Sequence, residues 1–400
     1  MLLFEGDDEM LNVLRAAAWL GAATWIGLVL YRGRFWDARA DGLRDAGDSV
    51  DSPDVHAVVP ARNEADVLDA TLGSLLAQRY GGAFGLTLVD DRSDDATAAV
   101  ASAAIARAGA QNRAEIARAR PRPEGWTGKV WAMAEGVAAA RAGGAAPAYW
   151  WFTDADVEHD SDTLARLIAT AQAGDRALVS QMVELHCATR PERFLIPAFV
   201  FFFRLLYPFA WVNDDRRATA AAAGGCVLVR DDALRAIGGI ERIKDALIDD
   251  CALAAAVKAG GGGLWLGLAT RSRSIRPYRS VRAVWSMVSR TAYTQLRYSP
   301  ALLAGTVAAM VLLYYVPVAA TVAGVRRRRA DLALPGLIGW LAMQAAYVPT
   351  LRLYRLSPLR ALTLPWAAML YTAMTVDSAR LHAAGRGGAW KGRTFSAPPR

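Results

Sequence analysis

Two aspartates one residue apart, Asp154 and Asp156, follow the apolar run Tyr149-Trp150-Trp151-Phe152-Thr153. The run reads as a buried strand, and alternation along a strand would set both carboxylates on the same side. Two carboxylates at a strand's carboxyl end can share a hard divalent cation. Mg2+ or Mn2+ favours a few carboxylates, completed by substrate phosphate oxygens, over a full protein cage. The pair therefore points to a metal–diphosphate site. Alone, Asp-x-Asp is a common pattern, and Asp156 capping the following helix accounts for it better. The weight lies in what stands at other strand ends.

Charged groups recur there in a fixed order. Pro60-Ala61-Arg62-Asn63-Glu64 follows the first strand, and Val89 to Thr97 carries Asp90, Asp91, Asp94 and Asp95. Trp126-Thr127-Gly128-Lys129 opens a helix, and Asp249-Asp250 opens another after Ile248. Each has an ordinary reading. Asp94 fits a helix N-cap, Asp90 and Asp91 fit a turn, and Lys129 fits a solvated helix start. Asp249-Asp250 fits an N-cap pair favoured by the helix dipole. Jointly, and in this order along one chain, they are harder to dismiss.

The elements that must position these groups alternate. Strands at 56–59, 86–89, 150–153 and 177–184 are interleaved with helical patterns near 65–78, 94–108, 129–141 and 162–173. A further strand is expected at Cys226–Val229, with helices near Asp232–Ala236 and from Asp249. This is an α/β pattern, with right-handed crossovers and a mixed, mostly parallel sheet flanked by helices. Ligands on such sheets bind outside the carboxyl ends of the strands, where the charged groups cluster.

Hydrophobic residues make up 54% of the 400, and the excess lies at the two ends. Leu11–Tyr31 is long enough for a span of about 20 residues. It lacks a signal peptide's cationic start and cleavage site, so it reads as an uncleaved anchor. Arg32, Arg34, Arg39 and Arg44 follow it, which places the next domain in the cytoplasm by the positive-inside rule. Apolar segments near Leu302–Val325, Leu332–Leu351 and Leu362–Val376 read as C-terminal transmembrane helices, although Arg326–Arg329 would then lie outside. Phe194–Trp211 is also apolar, but a crossing there would separate Asp156 from Asp250, so it is expected either in the bilayer interface or packed against the domain. The net charge of +8 fits Lys and Arg beside anionic lipid rather than nucleic acid, for which no motif is present. The three cysteines show no paired or metal-type spacing, and the four histidines form no cluster. His159, close behind the aspartate pair, reads as structural because a metal-ligating histidine normally has partners. Arg271, Arg273, Arg276, Arg279 and Arg282 form a basic run that could hold phosphates or anionic lipid, with a solvated face the simpler reading.

The order of these motifs resembles that of inverting family 2 glycosyltransferases, which have a GT-A fold. The resemblance covers roughly residues 54–300, and the membrane layout extends it to nearly the whole chain. The wording of residues 58–68 (VVPARNEADVL), 88–97 (LVDDRSDDAT), 125–136 (GWTGKVWAMAEG), 151–160 (WFTDADVEHD), 249–261 (DDCALAAAVKAGG) and 389–393 (AWKGR) is similar to that of hopene-associated glycosyltransferases of bacterial hopanoid gene sets. Ceramide glucosyltransferase-like enzymes are more distant. By the resemblance, Asp90 and Asp91, with Glu64 beside them, would bind the donor's base and ribose. Asp156, helped by Asp154, would hold Mg2+ or Mn2+ on the diphosphate. Lys129 would lie near the phosphates, and Asp250 would be the general base. A Gln-x-x-Arg-Trp segment common in relatives is altered here to Thr294-Gln295-Leu296-Arg297-Tyr298, leaving Arg297 as a donor-binding candidate.

The expected organisation is a transmembrane anchor at 1–34, a cytoplasmic GT-A catalytic domain with interfacial segments at 54–300, C-terminal transmembrane helices at 301–378 and a basic tail at 379–400. The expected function is transfer of a sugar from a nucleotide-diphosphate sugar to a hydroxyl of a membrane lipid, hopanoid or other polyisoprenoid in type. The expected location is a bacterial cytoplasmic membrane, spanned several times. The alternatives are a polysaccharide synthase, for which the spans are few, and a catalytically silent membrane scaffold, against which the intact acidic motifs argue.

Overall fold

A computed structural model of the chain describes residues 2–40, 42–45, 47 and 51–388, with side chains from residue 9. The 389–393 motif and most of the expected basic tail lie outside the described residues. The chain divides into two compact units: residues 1–39, 187–210 and 278–387 form one, and 40–186 with 211–277 form the body of the other.

The second unit is built on a mixed sheet of β1 (Val55–Ala61), β2 (Phe84–Asp90), β3 (Ala114–Arg118), β4 (Tyr149–Thr153), β5 (Val157–His159), β6 (Arg176–Glu184), β7 (Cys226–Arg230) and β8 (Gly263–Ser274). Their order is β3-β2-β1-β4-β7-β6-β8-β5. Pairs β1–β2, β1–β4, β2–β3 and β6–β8 are parallel, whereas β7 is antiparallel to both β4 and β6, and β5 to β8. β1 and β2 are nearly continuous buried runs, as expected of parallel strands covered on both faces. Helices Leu68–Leu76, Thr97–Arg107 and Gly128–Ala142 follow β1, β2 and β3. Gly136 lets the third of these lie close on the sheet, since a Cβ there would come within 2.4 Å of Val58 and 2.8 Å of Val89.

Three strands were not legible as such in the sequence. β3 and β5 are short. In β8 the run Arg271-Ser272-Arg273-Ser274 alternates exposed arginine with buried serine. That is the period of a half-buried strand rather than of a uniformly solvated basic face.

The other unit is helical. Leu2–Tyr31, Arg190–Leu206 and Ala330–Leu353 are single helices, while Pro300–Arg326 contains a π-helical turn at Val311–Tyr315. Trp25 donates its indole N–H to the Leu313 carbonyl in that turn at 2.7 Å. Small residues set the close approaches: a Cβ on Gly324 would meet Ala333 at 2.4 Å, and one on Gly336 would meet Thr321 at 2.6 Å, the packing mode of helices in lipid. Thr189 caps Arg190–Leu206 through a capping box with Glu192. Buried Glu192 also accepts the Tyr278 N–H at 2.5 Å.

Among the described residues, Glu9–Tyr31, Arg190–Val212, Pro300–Arg326 and Ala330–Leu353 are long and apolar enough to cross a membrane. The last apolar segment forms Leu364–Ala383, which is not among them.

Candidate active site

The loops after parallel neighbours β1 and β2 start in register, Ala61 opposite Asp90. The Asp91 N–H donates to the Ala61 carbonyl at 2.9 Å. Buried Arg62 crosses between the loops and donates to the carbonyls of Asp91 at 2.6 Å and Arg92 at 2.8 Å. Asn63 and Arg92 both hold positive φ, +52° and +56°, a conformation that asparagine tolerates better than arginine. This interlocked pair of turns buries Glu64, Asp90 and Asp91. Asp90 accepts the Ser93 N–H at 3.0 Å. Asp94 does not cap the next helix: it is exposed and lies 3.4 Å from Arg62, whereas Asp95 accepts the Thr97 N–H at 3.0 Å.

Asp154-Ala155-Asp156 stands at the carboxyl end of β4, but as a turn leading into β5 rather than as a continuation of the strand. Strand alternation therefore does not orient its carboxylates, and different partners do. Asp154 pairs with Lys129 at 2.8 Å. Asp156 accepts the Ser274 hydroxyl at 2.9 Å and lies 3.4 Å from Arg276. Nor does Asp156 cap a helix, since the next one begins at Thr163 with Asp162 before it. His159 is buried between Thr153, 2.9 Å from its Nε2, and Ser272, 2.8 Å from its Nδ1, and burial pushes its pKa down to about 3. It is a neutral structural group, as its isolation in the sequence implied.

Lys129, in the first turn of Gly128–Ala142, joins Asp154 to Asp249, 3.2 Å away. Burial alone would lower its pKa, but Asp154, Asp249 and Asp250 raise it, so it stays protonated. Asp249 and Asp250 occupy the first turn of Asp249–Ala259, which starts without a side-chain cap. Asp250 Oδ2 accepts the Gly224 N–H and Oδ1 the Cys251 N–H, both at 2.7 Å. The helix dipole favours the ionised carboxylate. Burial instead pushes its pKa up to about 6, helped by the charge of Asp249 and opposed by Lys129 and the two N–H groups. Lys129, Asp154, Asp249 and Asp250 line one cleft with Pro60, Phe152, Thr153 and Gly224. A carboxylate titrating just below neutrality is poised as a general base.

Arg297 lies in the helical unit, exposed, with φ +52° and its N–H bonded to the Thr294 carbonyl at 2.9 Å. Gln295, one place late for the common motif, donates to the Tyr207 hydroxyl at 2.5 Å.

Sequence reasoning missed two residues. Arg276 pairs with Glu64 as well as with Asp156; it lay within a basic run whose spacing singled out none of its members. Gly224 sits where a Cβ would fall 2.8 Å from Lys129 Nζ and 3.3 Å from Asp250 Oδ2. The Gly224-Gly225 pair before β7 was the available signal. Gly224→Ala should displace the ammonium and lower turnover about tenfold, a misplacement effect, with a thermal midpoint close to wild type. Unchanged kcat would show that the cleft has slack at this point.

Among the described residues no group of three or more His, Cys, Asp or Glu side chains is arranged to hold a metal. The donor set nevertheless fits Mg2+ or Mn2+ in the form that needs only one or two carboxylates and takes its remaining ligands from substrate phosphates and water. Asp154 and Asp156 stand partly accessible on one turn.

Residues 56–238 match the family model described as Glycosyl transferase family 2. No curated protein matches the chain. Among solved structures, a mannosyltransferase from Pyrobaculum calidifontis, in complex with GDP-Man and Mn2+, is 19% identical with a TM-score of 0.51, over 92% of this chain and 98% of that one. It shares the fold. A mannosyl-3-phosphoglycerate synthase from Rubrobacter xylanophilus is 17% identical with a TM-score of 0.38, over 61% of this chain and 75% of that one. A glucosyl-3-phosphoglycerate synthase from Mycobacterium tuberculosis, in complex with Mn2+, UDP and phosphoglyceric acid, is 16% identical with a TM-score of 0.39, over 61% and 78%.

Proposed function

We propose, from the family 2 glycosyltransferase domain at residues 56–238, that the chain transfers a sugar from a nucleotide-diphosphate sugar to a hydroxyl of a membrane lipid, inverting the anomeric carbon. The observation that carries the reading is the Lys129–Asp154–Asp249–Asp250 cluster on one cleft. It sets a raised-pKa carboxylate beside a fixed ammonium, next to a pair of turns rich in buried acids.

Asp250 takes the proton of the acceptor hydroxyl as its oxygen attacks the anomeric carbon. The carbon–diphosphate bond breaks in the same displacement, on the opposite face, and no covalent enzyme intermediate forms. Lys129 lies near the phosphates, and its charge favours the departing dianion. Asp90 and Asp91, with Glu64, hold base and ribose. Asp156 and Asp154 are the residues for Mg2+ or Mn2+, which when bound neutralises charge on the diphosphate. Arg297 is assigned to the donor on the altered motif alone.

The lipid acceptor is supported by the apolar helices. Arg190–Val212 is flanked by β6 and β7, which pair with each other. A single crossing would put paired strands on opposite sides of the bilayer, which supports a segment that lies in the interface or packs against the protein rather than one that crosses. The catalytic unit then faces the cytoplasm, with Glu9–Tyr31, Pro300–Arg326 and Ala330–Leu353 as spans. A hopanoid or other polyisoprenoid-type acceptor rests on the wording of the motifs.

The test is a screen of labelled sugar nucleotides against bacterial membrane lipid extract with the full chain, read by mass spectrometry. A glycosylated lipid is expected. Transfer only to soluble acceptors would remove the lipid assignment, and tight donor binding without any transfer would favour a silent scaffold.

A further inference from the structure

Arg276 lies just beyond β8, and its guanidinium is placed unlike those of its neighbours. Arg271 and Arg273 project from the strand to pair with Asp162 at 3.0 Å and Glu158 at 2.9 Å in largely exposed bridges. Arg276 instead turns inward, contacts Glu64, stands 3.4 Å from Asp156, and has Asp66 at 4.0 Å. It thus joins the acid assigned to the nucleoside end of the donor to the acid assigned to the metal.

The backbone that presents it is tied to the same turn. The Ile275 N–H donates to the Asp156 carbonyl at 2.9 Å, the Ser274 hydroxyl bonds the Asp156 carboxylate, and Val157 pairs with Ser274. Pro277 follows and fixes its own φ. Any rearrangement at this point therefore falls to the flexible side chain of Arg276 rather than to the chain.

We propose that Arg276 is a stand-in cation: it neutralises Glu64 and Asp156 while the donor site is empty, yields Asp156 to the metal, and turns its guanidinium onto the incoming diphosphate. The inference rests on the assignment of Asp156 to the metal. Without a cation, the acids on these turns would repel one another in a partly desolvated site. A metal–diphosphate brings its own cation for Asp156 and its own anion for the guanidinium, so Asp156 and Arg276 each keep a partner through the exchange. Guanidinium suits this because its planar fork matches carboxylate and phosphate oxygens equally well.

The exchange predicts opposite shifts for two probes. In the full-length detergent-solubilised protein, Arg276→Gln should bind Mn2+ alone about tenfold more tightly than wild type, because the competitor for Asp156 is gone. It should bind Mn2+ with inorganic pyrophosphate about tenfold more weakly, because the diphosphate has lost its contact. Each shift corresponds to ~1.4 kcal/mol. Free Mn2+ is read by electron paramagnetic resonance and pyrophosphate by calorimetry, with no turnover needed. Arg276→Lys should restore the pyrophosphate complex in part. An unchanged or weaker affinity for Mn2+ alone, or both affinities moving together, would overturn the proposal and leave Arg276 a structural ion pair. Asp156→Asn separates the two readings: if it leaves Mn2+–pyrophosphate binding intact, the metal assignment fails, whatever Arg276 does.

Discussion

Asp250→Asn should abolish transfer, lowering kcat about 10³-fold, while the dissociation constant of the nucleotide sugar stays within about threefold. Asparagine keeps the shape but cannot take the acceptor's proton. It also cannot accept both N–H groups that Asp250 binds, from Gly224 and Cys251, because one of its terminal atoms is itself a donor. A stability loss of about 1–3 kcal/mol accompanies the change, so assays belong below the variant's melting temperature. Donor affinity by calorimetry and single-turnover transfer check the prediction; turnover within tenfold of wild type would take the base role from Asp250.

The wild-type pH profile carries the same signature. With a pKa of about 6, Asp250 should impose an acid limb on kcat/KM centred near that value. Stability follows with a definite sign. The folded chain binds this proton more tightly than the unfolded chain does, so protonation stabilises the fold fully below 3.8 and that contribution is lost as pH rises through about 6.

Lys129→Met is the second large effect. It leaves Asp154, Asp249 and Asp250 facing one another without the ammonium that now lies 2.8 Å from Asp154 and 3.2 Å from Asp249. Removing one partner of a fully buried pair costs 3–5 kcal/mol, and the partial exposure of this one brings that to about 2 kcal/mol. Because Lys129 holds the pKa of Asp250 down, the acid limb should also move up, by about one unit. Turnover near pH 7 should fall about 10²-fold and recover in part at higher pH, unlike that of Asp250→Asn. An acid limb that does not move would mean that the lysine is not coupled to the base.

Much of this was readable in the sequence because strand ends and helix starts carry their own punctuation. The order Glu64, Asp90-Asp91, Lys129, Asp154, Asp249-Asp250 follows the order of β1, β2, the Gly128–Ala142 helix, β4 and the Asp249–Ala259 helix. Local pattern was enough to place each group on an element. What it could not supply was cross-chain pairing. β8 was hidden because arginine is a poor marker of a strand, although Arg-Ser alternation was present. Arg276 gains its meaning only from β8 lying beside β5, a contact between residues more than a hundred positions apart. The aspartate pair does follow the carboxyl end of β4, but the turn into β5 was missed because β5 is three residues long, too short to show a period. Asp94 looked like a cap, but in the turn locked by Arg62 it is Asp95 that accepts the Thr97 N–H, and the helix starts after Ala96 without a side-chain cap.

The placement of β7 has a consequence for how the protein is made. β4 pairs with β1 on one side and with β7 on the other, and β6 reaches β4 only through β7. As the chain leaves the ribosome, β4 therefore keeps an open edge through the synthesis of β6 and of the whole Arg190–Val212 segment. The aspartate turn is tied down still later, when Ser274 and Ile275 emerge. A pause or truncation between residues 187 and 275 would expose an unpaired apolar edge, the usual seed of aggregation.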